Sequence, residues 1–75
     1  MGDRLPQVKP RELIRALERL GFIVRRTAGS HVTLRHPISG KIVTVPEHAG
    51  DIKRGLLFGI LKQADINRED FLRTL

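Results

Sequence analysis

Residues 22–46 read FIVRRTAGSHVTLRHPISGKIVTVP, and the way this stretch divides decides the fold. Phe22 to Thr27, His31 to His36 and Lys41 to Pro46 are β-branched or alternating runs. Between them lie Ala28-Gly29-Ser30 and Pro37-Ile38-Ser39-Gly40, both rich in turn-forming residues. The spacing predicts three strands in an antiparallel meander. Alternation then assigns faces: Val32 and Leu34 point one way, with Val43 and Val45 as partners, while His31, Thr33 and Arg35 point the other.

Helical patterns flank the meander. Lys9-Pro10-Arg11-Glu12 opens a helix with proline in a tolerated first-turn position, Leu13, Ala16, Leu17 and Leu20 form its apolar stripe, and Gly21 is placed to end it. Downstream, Asp51 is positioned to cap a second helix in which Leu57, Ile60, Leu61 and Ala64 recur at the spacing of a buried face. Gly55 and Gly59 interrupt that helix and suggest close packing or a late start. Asn67 is set to cap a short final helix with Glu69 and Asp70 in its first turn and Phe71 and Leu72 as anchors. Phe22 is expected in the core, and Phe58 against the final helix. The prediction is an α+β domain over residues 1–75, with residues 1–8 as a polar tail, in the order helix, three-stranded antiparallel sheet, helix, short C-terminal helix. Helices of such a fold pack on one sheet face and leave the other to solvent.

Charge singles out the open face. The 75-residue chain has 14 Lys and Arg against 8 Asp and Glu, for a net charge of +6. Between Arg19 and Pro46 there is no carboxylate, yet Arg19, Arg25, Arg26, Arg35 and Lys41 fall within that stretch. Unopposed positive charge biases encounters toward polyanions, nucleic acid first among them. Only three aromatic residues are present, all Phe, which argues against an aromatic platform for stacking bases. The absence of cysteine excludes a disulfide framework and a thiolate zinc site. No stretch approaches the roughly 18 apolar residues of a membrane span, and the first residues lack a signal-peptide pattern, so a cytoplasmic protein is expected.

Within the acid-free stretch His31 is the candidate reactive residue. Histidine is the side chain suited to proton transfer near neutrality, and here it shares a face with Arg35 and adjoins the strand carrying Arg25 and Arg26. A proton shuttle among phosphate-binding cations points to phosphodiester chemistry on RNA. Against this stands the plainer alternative of a surface histidine in a non-catalytic RNA-binding module that uses the same basic sheet. His36, before Pro37, and His48, in the loop after the third strand, fit structural roles better. A zinc site from the three histidines lacks a supporting local motif, and no carboxylate stands near until Glu47 and Asp51, so no metal or other cofactor is expected. Lys53 and Arg54 read as a solvated face.

Across residues 8–72 the chain resembles the HicA, or YcfA-like, family of mRNA interferase toxins. The resemblance rests on Arg11-Glu12-Leu13 through Leu20-Gly21-Phe22, on Gly29-Ser30-His31 leading into His36-Pro37, and on Val43-Thr44-Val45-Pro46 with His48. It continues through Lys53 to Gly55 and Ile60-Leu61-Lys62-Gln63-Ala64. It implies a fold similar to double-stranded-RNA-binding domains, cleavage of mRNA, a catalytic histidine at His31, and neutralisation by a HicB-type antitoxin. Arg25, Arg26, Ser30, Arg35 and Lys41 are then the expected RNA-binding residues. Three positions depart from the family pattern: Arg54 replaces a common proline, Leu56 a small hydroxyl residue and Asp65 a frequent glycine. These alter a helix boundary more than the site.

Overall fold

A computed structural model describes residues 5–47 and 50–75. Helix α1 (Pro10–Arg19) precedes strands β1 (Ile23–Ala28), β2 (His31–Arg35) and β3 (Ile42–Pro46), followed by α2 (Arg54–Gln63) and α3 (Arg68–Arg73). The strands pair antiparallel in the order β1-β2-β3. This is the predicted α+β architecture, with the element order of a double-stranded-RNA-binding-like fold. No helix among the described residues is long and apolar enough to cross a membrane.

The sequence dictates both ends of α1. Pro10 occupies the first turn, where its missing N–H is not needed, and the Glu12 carboxylate accepts from the Lys9 backbone N–H at 2.8 Å. Past Leu20, Gly21 adopts φ +101°, so the Gly21 N–H reaches the Glu18 carbonyl and the Phe22 N–H the Leu17 carbonyl, both at 3.0 Å. That pair of bonds is a Schellman ending, with Phe22 and Leu17 both buried beneath it. The chain thereby turns directly into β1.

Register follows the predicted faces. Val32 pairs with Val45 and Leu34 with Val43, and all four are buried. Against them pack Leu13, Ala16 and Leu17 of α1, Leu57, Ile60 and Leu61 of α2, and Phe71 of α3. The helices cover β2 and β3 but leave every residue of β1 exposed. At the outer edge of β3 the Gln63 side-chain amide donates to the Ile42 carbonyl at 2.8 Å, so that edge is partly tied off by α2.

Several expectations need correction. Asp51 does not cap α2, which begins three residues later with Lys53 as its N-cap; Asp51 instead lies 3.6 Å from the Lys9 ammonium. Gly55 and Gly59 are not there for close packing, because a Cβ on either would meet open space. Phe58 is 44% exposed rather than covered by α3, and Leu72 is likewise partly exposed, leaving Phe71 as the anchor of the last helix. The segment expected as a polar tail contributes Leu5 and Val8 to the core, and the Val8 carbonyl accepts from the Ile52 N–H at 2.8 Å. The Asn67 cap is as expected, accepting from the Asp70 N–H at 2.8 Å.

Candidate functional site

The open face is a small grid whose rows are set by cross-strand register. Ala28, His31 and Pro46 form the first row, Arg26, Thr33 and Thr44 the second, and Ile23, Arg35 and Ile42 the third. Regular alternation would not put Arg26 there. Counting inward from Val24, which pairs with Leu34 on the helix side, Arg26 would face the helices as well. A bulge intervenes: the register shifts between Val24 and Arg26, with Arg25 as the extra residue, so Arg26 comes opposite Thr33. One inserted residue thus converts an arginine aimed at the core into one beside the candidate histidine.

His31 opens β2 and is exposed, flanked across the ladder by the short or ring-closed side chains of Ala28 and Pro46. Neither overhangs the imidazole as a long side chain would. Arg35 shares its face, as predicted, but is not its neighbour: Thr33 intervenes, and four residues of strand set their Cα atoms about 13 Å apart. The Arg35 guanidinium extends further away, to 3.8 Å from where a Cβ on Gly40 would stand. Lys41 lies beyond the strand end, its N–H bonded to the Ser39 hydroxyl and its carbonyl accepting from the His36 N–H. The cations therefore divide. Arg25 and Arg26 stand on the edge strand β1, Arg26 in the middle row, while Arg35 and Lys41 gather at the β2–β3 hairpin. Among the described residues none of these four has a carboxylate partner.

Ser30 is half-buried and its carbonyl accepts from the Glu47 N–H, which extends the β2–β3 pairing one step past His31. Its hydroxyl sits in the turn immediately before the histidine. Between the strands Thr33 and Thr44 bring their hydroxyls within 3.4 Å, adding donors and acceptors beside Arg26. These two threonines, with Ile23 and Ile42, are open-face residues that a search for charged and titratable groups passes over. The parity of β2 was enough to flag Thr33, but the others needed the register.

His36 has a structural post. Its Nδ1 accepts from the N–H groups of Ile38 and Ser39, each at 3.2 Å, and its ring stands edge-on to Phe22 with centroids 5.1 Å apart. The third histidine, His48, lies outside the described residues. Among the described residues no three of His, Asp and Glu come close enough together to hold a metal ion.

A recess of about 400 Å³ belongs to the helical layer and is lined by residues such as Leu5, Phe58, Leu61 and Ile66. None of its lining comes from the open-face grid. An exposed imidazole on an open sheet face is accessible to a polymer that lies along the surface.

The family model described as HicA toxin of bacterial toxin–antitoxin systems matches residues 10–66. No curated protein gave a match. The matched span runs from the first residue of α1 past the end of α2 and takes in the whole sheet. The chain belongs to the HicA toxin family.

Proposed function

We propose that this toxin is an mRNA interferase, an endoribonuclease in which His31 moves the proton and the arginines of the open face hold the RNA. The observation that carries the reading is the register, which sets His31 and Arg26 on one solvent-facing surface whose rows hold no carboxylate among the described residues. Imidazole takes the proton of a ribose 2′-hydroxyl, and that oxygen attacks the adjacent phosphorus. The bond from phosphorus to the 5′-oxygen breaks, and the leaving oxygen takes its proton from solvent water, the hydroxide left being neutralised by the proton that His31 gives up. The products are a 2′,3′-cyclic phosphate and a 5′-hydroxyl. A positioned general base or acid accelerates such a step by about 10²- to 10⁴-fold. Arg25 and Arg26, on the strand beside β2 and within about one row of His31, serve phosphates beside the scissile one, with Ser30 as a hydroxyl contact. Arg35 and Lys41, about 13 Å or more along the strand, hold the chain further on.

Cations suffice for this chemistry, so the reaction proceeds without a metal. Purified protein incubated with a long RNA in EDTA should yield fragments ending in 2′,3′-cyclic or 3′-phosphate. Cleavage that returns only with added divalent metal would overturn the metal-free mechanism. Membership of a toxin–antitoxin family calls for an antitoxin; a HicB-type protein with an acidic contact surface over His31, acting in the cytoplasm, fits the charge of this face. Its association should weaken as salt rises.

A further inference from the structure

Resting on that reading, we infer that the third row of the open face, Ile23, Arg35 and Ile42, is a seat for one unpaired nucleobase downstream or upstream of the cleaved bond. Ile23 is 52% and Ile42 48% exposed, on a face whose middle row is Arg26, Thr33 and Thr44. Neither packs into the core, and both oppose Arg35 in register. Strands about 4.8 Å apart set the two isoleucines roughly 10 Å from each other with the arginine between. Arg35 is half-buried, its guanidinium carried over the hairpin near Gly40, and no carboxylate among the described residues pairs with it.

This combination suits a base better than a phosphate alone. A guanidinium plane stacks on a nucleobase, and the two isoleucines beside the stem of that arginine offer apolar surface to the same base as it lies along the row. The chain has no Tyr or Trp, and none of its three Phe stands on this face, so arginine takes the part an aromatic ring would play. Base-paired RNA keeps its bases stacked within the helix and offers only phosphate and sugar to a flat surface. The row therefore selects a single-stranded segment. Because it lies about 13 Å from His31, the base it seats belongs to a nucleotide other than the one being cleaved.

The test is abasic scanning by fluorescence anisotropy, using a short single-stranded RNA and the His31→Ala protein so that no cleavage intervenes. Removing the base at one position should weaken binding about five- to tenfold, the lower range for losing a stacked base, while other positions change little. In the His31→Ala protein also carrying Ile23→Ser and Ile42→Ser, that position dependence should vanish while phosphate-driven binding persists. A duplex of the same sequence should show no difference between the two proteins. Equal loss at every position, or none, overturns the base seat while leaving the nuclease reading standing if wild-type protein still cuts RNA. Unchanged RNA affinity in the serine variant with an altered sedimentation coefficient assigns the row to contact between copies and likewise overturns it. Absence of both RNA binding and cleavage refutes the underlying reading itself.

Discussion

At Gly21 one residue does two jobs that no other residue type could combine. Its φ of +101° closes α1, and a Cβ there would stand 2.6 Å from His36 Nε2. The imidazole cannot swing aside cheaply, since Nδ1 is engaged by two backbone N–H groups and the ring is seated on Phe22. Gly21→Ala should therefore destabilise by about 1–3 kcal/mol, from left-handed strain plus the clash. For a domain of this size that is a fall in melting temperature of roughly 5–20 °C. Gly55→Ala is the contrasting case. A methyl group there meets open space within a helix, so stability should rise by about 0.5–1 kcal/mol, read in the same thermal melt. Of these residue roles, the sequence made Gly21 readable as a helix end and His36 as structural. It could not show that the two touch, because their contact depends on where the β2–β3 hairpin folds back.

At the scale of elements, α2 ends as α1 does, but with the wrong residue in the left-handed position. Asp65 has φ +60°, its N–H reaches the Lys62 carbonyl at 3.1 Å, and the Ile66 N–H reaches the Leu61 carbonyl at 2.9 Å. This repeats the Schellman pattern of Gly21, with an aspartate bearing the steric cost that glycine avoids. Asp65→Gly should thus stabilise by about 0.5–1 kcal/mol, raising the melting temperature by several degrees without changing RNA cleavage. The departure from the family pattern at this position is legible in sequence; its backbone consequence needs φ. The strands were legible for a plain reason: Val32 and Leu34, like Val43 and Val45, are apolar residues separated by a single threonine, and the observed register buries all four. The bulge at Arg25 was not, since two adjacent arginines carry no signal of which lies in the ladder. Asp51 misled because a cap residue is a local preference, overridden here where Ile52 is buried and bonded to Val8 before the helix begins.

On the whole molecule the helices take one sheet face and Arg26 and Arg35 stand on the other, which separates what holds the fold from the surface proposed to meet RNA. Affinity for single-stranded RNA should accordingly fall with salt, with a slope of log K against log salt of roughly −3 if Arg25, Arg26, Arg35 and Lys41 each neutralise a phosphate. Arg35→Glu should make the slope shallower, and a slope near zero would place RNA elsewhere. The same separation makes His31 removable. It is exposed, and its neighbours Val32 and Leu34 on the core side remain untouched. The most direct measurement is RNA cleavage rate beside melting temperature for wild-type protein and His31→Ala. Cleavage should drop by about two to four orders of magnitude while stability moves within about 0.5 kcal/mol and RNA binding persists. A variant that is folded and cuts RNA at the wild-type rate would contradict the assignment of catalysis to His31.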